Sequence, residues 1–397
     1  MVAPFKVRYR TAVDCKSVTL SLGHGIDDIF WRIIPSFSTV NFAFPSQLPG
    51  DFAVLAALPF ALLAGRDLEI DGSVCPVMIT NAQRIASYRS LWNADQAKNQ
   101  VFSATNVAFR GGYDPAKPHL VALSGGVDSS FVLVQNADST NGPLHRNVTT
   151  GLNIRGFDFP VGDSEGFTTL SHKLQRIADP FHLAILTVET NWKSVATRFG
   201  LNWSEHFIIG LAATMHLFSE QFTGGFFASD FTHKEEHDFL NRKSHAIPTW
   251  MLSSGQFQME PRGDETTRAA KVLAIHRADL FQHIAVCWKG PRTGENCGKC
   301  EKCRRTMLMA FAQNLDTRGA FPSNPGLRDI LTVPMGKNSV GVFYRDVMNN
   351  WTTQKSPIMK AALRLRCLLL PAEQVVTGWL QTLVRARRNY VKARAGR

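Results

Sequence analysis

Two short segments of the 397-residue chain carry side chains whose types and spacing suit chemistry. The first runs Val121-Ala-Leu-Ser124-Gly125-Gly126-Val127-Asp128-Ser129-Ser130. A buried-strand pattern ends there, two glycines follow, and a helix pattern begins. Glycine lacks the Cβ that keeps a ligand away from backbone amides. Free N–H groups at a helix start, reinforced by the helix dipole, suit a phosphate chain. Ser124, Ser129 and Ser130 add hydroxyl donors. Bare phosphate repels Asp128, so this residue either meets a bound Mg²⁺ or caps the helix. The segment is not the G-x-x-x-x-G-K-[ST] loop, because no lysine follows, and it is not G-x-G-x-x-G. The plain alternative is a strand–turn–helix that happens to be rich in Ser and Gly.

The second segment holds four of the seven cysteines, as Cys287-x9-Cys297-x2-Cys300-x2-Cys303. Cys-x2-Cys spacing lets two thiolates reach one metal through a tight turn, and Gly298 supplies the freedom for it. Four thiolates saturate a tetrahedral Zn²⁺ and leave no open position, so such a zinc is structural. An iron–sulfur cluster or redox-active thiols are the other readings of the same spacing. Lys299, Lys302, Arg304 and Arg305 surround the motif and are expected to offset the −2 charge of a Zn(Cys)₄ centre. Cys15, Cys75 and Cys367 are isolated and read as small packed hydrophobes.

The elements that must position these groups follow from pattern. Residues 1–110 read as an N-terminal α+β domain of unknown role. Within it Phe5–Arg10, Val18–Leu22 and Asp28–Ile34 look strand-like, and Phe52–Leu63 looks like one buried helix. Leu68–Ile70 and Val77–Ile79 suggest two strands around the turn Asp71-Gly72. Gly111, Gly112, Pro115 and Pro118 mark a linker. Residues 111–345 then alternate strands (His119–Leu123, Val148–Arg155, Leu183–Val188, Gly224–Ala228) with helices (Ser129–Val134, Glu165–Ile177, Phe207–Phe222, Thr266–His283). That alternation predicts an α/β fold with a Rossmann-like parallel sheet covered on both faces. Residues 346–397 read as a helical C-terminal segment.

Composition bounds the rest. A hydrophobic share of 44% excludes a largely disordered chain. The longest apolar run, Phe52–Gly65, falls short of the ~20 residues of a membrane span. Met1–Arg10 lacks a signal-peptide core, so a cytoplasmic protein with reduced cysteines and no membrane association is expected. The net charge is +12, and half of it lies in Arg385–Arg397. Such a tail suits a nucleic acid or an acidic protein partner, or is simply a solvated helix end.

The first segment matches the SGGxDS signature of the PP-loop ATP pyrophosphatases, which this chain resembles. Together with Val286-Cys-Trp-Lys-Gly and Asn296-Cys-Gly-Lys-Cys-Glu-Lys-Cys-Arg304, it is similar to the 7-cyano-7-deazaguanine synthase family over about residues 118–310. The resemblance implies the adenine nucleotide alpha-hydrolase fold. It implies ATP as co-substrate, Mg²⁺, and a structural Zn²⁺ near the substrate pocket. The family adenylates a carboxylate, releases pyrophosphate, and lets ammonia displace AMP to form an amide that is later dehydrated to a nitrile. The chain departs from the family in the 118 residues before its loop and in Gly156–Pro160, which holds neither Gln nor His. The acceptor and the amine or sulfur donor therefore stay open.

Sheet logic adds candidates, since ligands of open parallel sheets sit beyond the carboxyl ends of the strands. Asp230 follows the fourth predicted strand and either orients a substrate or caps a helix. His206 opens the long helix and either faces ATP or lies at the surface. Arg268 and Lys271 share a helix face and either grip pyrophosphate or are solvated. Trp203 and Trp288 stack on a base or pack in the core. Asp128→Ala and Ser129→Ala are expected to stop ATP-dependent turnover with the fold intact. Other functions compatible with the sequence are a different PP-loop amidotransferase or thiolation enzyme, and a non-catalytic nucleic-acid-binding zinc protein.

Overall fold

The computed structural model describes residues 3–90, 100–138, 142, 144–163, 165–239, 248–287, 293–335 and 338–371. The chain is α/β, built on a ten-stranded, mostly parallel sheet. Its strands are β1 (Phe5–Thr11), β2 (Ser17–Ser21), β3 (Ile29–Ile33), β4 (Leu68–Val74), β5 (Phe102–Val107), β6 (His119–Ala122), β7 (Val148–Arg155), β8 (Ala184–Thr190), β9 (Gly224–Ala228) and β10 (Gln258–Arg262). They lie in the order β10-β9-β6-β7-β8-β3-β2-β1-β4-β5.

Burial along the strands tells where the sheet is covered. β7 and β8 are buried almost throughout, as a strand with helices on both faces must be. β1 alternates buried and exposed, so its stretch of sheet has one open face. The residues expected as an N-terminal unit share this sheet with the rest. β3 pairs antiparallel with β8, matching Trp31 to Thr190 and Ile33 to Val188. They also share the core. Helix α1 (Asp51–Ala64) is buried from Asp51 to Leu62, and a helix apolar on all sides has nowhere else to go. It lies in one hydrophobic cluster with α6 (Trp203–His216). Trp192 donates its indole N–H to Ala56 O at 3.0 Å, and Trp31 donates to Thr214 Oγ1 at 3.0 Å.

One expected turn is absent. β4 continues through Asp71-Gly72, where its pairing with β5 shifts register, and Val77–Ile79 lies inside α2 (Pro76–Ser90). Pro76 stands at the first helical position, where its missing N–H costs nothing and its fixed φ starts the turn. That signal outweighs the β-branched Val77 and Ile79. β5 and β10 had no expected counterpart.

Asp51 is a buried acid at the start of α1, and its Oδ1 accepts from Cys75 N at 2.8 Å. Burial raises its carboxyl from 3.8 to about 6, against the opposing pull of the Cys75 amide, the Ser254 hydroxyl and Arg110. A raised folded-state value means stability is fully present below pH 3.8 and is lost as pH rises through about 6. At about 1.4 kcal/mol per unit the loss is on the order of 3 kcal/mol. Asp51→Asn keeps the acceptor without the charge. Urea unfolding at a series of pH values should show its stability relative to the parent rising between pH 4 and 7. A pH-independent difference would contradict the assignment.

Candidate functional site

From β6 the chain moves to β7 and β8 on one side, then returns to β9 and β10 on the other. The order reverses between β6 and β9, and the carboxyl ends of strands at such a switch point form a crevice suited to ligands. The Ser124–Ser130 loop leaves β6 there, and Ser229 and Asp230 leave β9 there.

The loop has the expected form. Gly125 takes φ +76°, and a Cβ on it would lie 3.1 Å from Leu174 Cδ2. The positive φ favours glycine, and the close leucine leaves little room for a side chain. Gly126 is the N-cap of α3 (Val127–Ala137) and is extended, with no side chain capping the helix. The N–H groups of the first helical turn have no intrahelical acceptor by construction. Ser129 Oγ lies 3.2 Å from Ser124 Oγ and donates to Gly126 O at 3.3 Å. Ser130 Oγ is buried with no hydrogen-bond partner among the described residues.

Asp128 does not cap α3. It pairs with Arg268 Nη1 through Oδ2 and, at 3.7 Å, with Lys271 Nζ through Oδ1. Burial alone would raise this carboxyl, but Arg268, Lys271, Arg305 and Lys302 outweigh it and hold the group below its ordinary value. Arg268 and Lys271 lie on α8 (Arg268–Arg277) and are buried, not on a solvated helix face. Lys271 also donates to Ser229 O at 2.6 Å. One ammonium thus ties the end of β9 to the loop after β6. The packing is aromatic, with Arg268 and Arg305 over the Phe343 ring at 5.5 and 3.9 Å.

The four cysteines are brought together. Their Sγ atoms all lie within 4.8 Å of one another. Cys297 to Cys303 is 3.9 Å and Cys300 to Cys287 is 4.0 Å. A tetrahedron with metal–sulfur bonds of about 2.3 Å has edges of about 3.8 Å, so the set can hold a metal ion such as zinc. Gly298 at φ +67° makes the turn, and the Lys299 and Cys300 amides donate to Cys297 Sγ at 3.4 and 3.3 Å. Buried Asn296 holds both arms of the site. Its Oδ1 accepts from Val286 and Cys287 N, and its Nδ2 donates to Ile284 and Ala320 O. The two arginines expected to offset the cluster's charge have other partners. Arg304 pairs with Asp329 at 3.1 Å and Arg305 with Glu301 at 3.6 Å.

Other expected residues lie elsewhere. His206 is buried on α6, with Nδ1 against Asn202 O at 2.9 Å and Nε2 against Arg89 Nη1 at 2.6 Å. Burial first, and then Arg89, lower its imidazole to about 4. It lines a cavity of about 110 Å³ with Pro59, Leu62 and Arg89, and no hydrogen bond or ion pair among the described residues links it to the loop. Trp203 packs edge-to-face on Phe157 at 4.8 Å and beside Trp192. Trp288 and Arg385–Arg397 lie outside the described residues. From the sequence, Arg305 reads only as a counter-charge and Asn296 has no role. The signal for Arg305 was its place two residues past Cys303 at a helix start.

Comparison with protein-family models, with curated proteins and with solved structures finds no match to this chain. No helix among the described residues is long and apolar enough to cross a membrane.

Proposed function

We propose that this chain is an ATP-dependent enzyme of the PP-loop ATP pyrophosphatase type, adenylating a carboxylate and releasing pyrophosphate. One observation carries the reading. An uncapped helix start at the sheet's switch point faces a buried group of cations, Arg268 and Lys271, that converge on its own Asp128. Amides, a helix dipole and buried cations in one crevice suit a polyphosphate.

In this reading the amides of Val127–Ser129 and the hydroxyls of Ser124, Ser129 and Ser130 bind the triphosphate. Arg268 and Lys271 leave Asp128 for the β- and γ-phosphates. A carboxylate of the substrate attacks the α-phosphorus, the bond to the β-phosphate oxygen breaks, and pyrophosphate departs. Stabilising that departing charge is the main catalytic contribution. Asp128, with one carboxylate oxygen lacking a hydrogen bond, would hold Mg²⁺ alongside phosphate oxygens, as that ion prefers. Mg²⁺ when bound supplies positive charge to the bridging oxygens. Asp230, at the end of β9, orients the acceptor. Ammonia, another amine or a sulfur donor then displaces AMP, giving an amide, a nitrile after a second round, or a related product. The cysteine cluster binds Zn²⁺ structurally and takes no part in the reaction.

The test is mass spectrometry and pyrophosphate release with ATP, Mg²⁺ and a panel of carboxylic acids that includes carboxydeazaguanine. AMP and an acid-derived product are expected. Ser129→Ala should lower pyrophosphate release about 10²–10³-fold while circular dichroism stays unchanged. Failure of the purified protein to bind ATP or form AMP with any acid would sink the proposal. Salt-sensitive nucleic-acid binding in that case would favour the non-catalytic alternative.

A further inference from the structure

We propose that Arg305 is a further phosphate-binding residue of this site, and that the cysteine knuckle holds it and the phosphate loop in register. The inference rests on the reading of the Ser124–Ser130 loop as a phosphate site. Its first support is charge. Arg268, Lys271 and Arg305 are all buried. The carboxylates paired with them are Asp128, with Arg268 and Lys271, and Glu301, with Arg305. Asp128 is shared by two buried cations, and the buried acid Asp346 lies near Arg268, so a polyphosphate entering here would meet three cations already held in a desolvated setting where their charge counts most. Arg268 Nε is buried with no hydrogen-bond partner among the described residues, and Arg305 Nε meets only Glu301 Oε1, at 3.6 Å, beyond hydrogen-bond distance. Two guanidiniums gathered on one Phe343 ring, one with an unmet Nε and the other held only by a long ion pair, suit a multivalent anion.

The second support is how Arg305 is held. It lies on α9 (Glu301–Ala312), whose N-cap is Cys300 and whose first turn contains Cys303. The metal-ligand geometry therefore sets the start of the helix that carries Arg305. The other arm of the knuckle reaches the loop directly. Ala285, two residues before Cys287, donates its N–H to Gly125 O at 2.7 Å. Both arms are pinned to each other by Asn296. A metal bound by the four sulfurs would thus fix, through two short chain segments, both the backbone of the loop and the start of the helix that carries Arg305.

The experiment is calorimetric titration of inorganic pyrophosphate with Mg²⁺ into the full-length, zinc-loaded protein. Arg305→Gln should weaken binding roughly tenfold or more, the loss typical of one charge-assisted hydrogen bond. Arg305→Lys keeps the charge but not the planar fork, and should fall between the two. Chelation should weaken pyrophosphate binding by a similar factor, with recovery on adding stoichiometric Zn²⁺. Parent-like binding by both Arg305 variants would overturn the first claim, and undiminished binding after chelation the second. Should Arg305→Gln fail to fold, Arg305→Lys decides alone. A parent protein that binds neither pyrophosphate nor ATP would bring down the phosphate reading itself, a different outcome from tight parent binding that the variants leave unchanged.

Discussion

Cys300→Ser protein is expected to lose stoichiometric metal and to unfold far more readily than its parent. Cys300 supplies one of four mutually close sulfurs and is also the N-cap of α9. Serine is a poor partner for a soft tetrahedral metal, and a three-thiolate site opens to water. Structural zinc contributes folding free energy directly, about 10–16 kcal/mol in isolated zinc-finger peptides near pH 7. In this chain the cluster anchors a hydrophobic core that includes Cys303, Met307, Leu308 and Phe343, so much of that contribution passes to α9 and its neighbours. The first large cluster, around α1 and α6, has no cysteine of the knuckle in it and should outlast the second. Elemental analysis should find no zinc, and thermal unfolding should show an early transition absent from the parent. A metal-free variant that melts at the parent temperature would refute the structural role.

Asp128→Asn has the second largest expected effect, and it falls on stability as well as activity. The sequence alone suggested that the fold would tolerate loss of this carboxylate. The structure revises that expectation, because Asp128, itself half-buried, is the partner of the buried cations Arg268 and Lys271. Removing one member of a buried pair typically costs about 3–5 kcal/mol, since the charge left behind has no water to turn to. Urea unfolding at pH 7 should show a loss of that order. Adding Arg268→Met to Asp128→Asn should recover part of it, by removing one of the two stranded cations. The acid limb provides a second check. Asp128 sits below its ordinary value, so its contribution is present above pH 3.8 and is lost as pH falls through the depressed value. The parent should lose stability below pH 4 more steeply than the variant. Equal stability of the two proteins at pH 7 would show the ion pairs to be energetically empty.

The legible parts of this molecule were those whose physics is local. Gly125 and Gly126 between an apolar run and a helix pattern leave few conformations open, and the loop takes the expected one with φ +76° at Gly125. Cys-x2-Cys spacing brings thiolates together through one turn, and Cys287 joins them from ten residues upstream. The apolar run at Phe52 reads as a buried helix, and it forms α1. Pairings between distant segments were not legible. Nothing near Ile29 says that β3 will lie against β8, because that edge is chosen by packing across more than 150 residues. Val77 and Ile79 looked like strand formers until Pro76 and the burial of Met78 and Ala82 placed them on a helix. His206 carried a plausible chemistry, yet its surroundings came from α2, whose position no local pattern near residue 206 could indicate.

The amino-acid sequence by itself determined the glycine-bent turn between β6 and α3, the four-sulfur set and the α/β alternation, because each depends on residues near one another in the chain. Only the tertiary structure decided which cations face Asp128, and that Arg305 stands with them while Arg304 turns to Asp329. Burial is the physical reason. A charge on a helix costs little in water, and its partner matters only once the fold has removed the solvent, a condition set by segments far away in sequence.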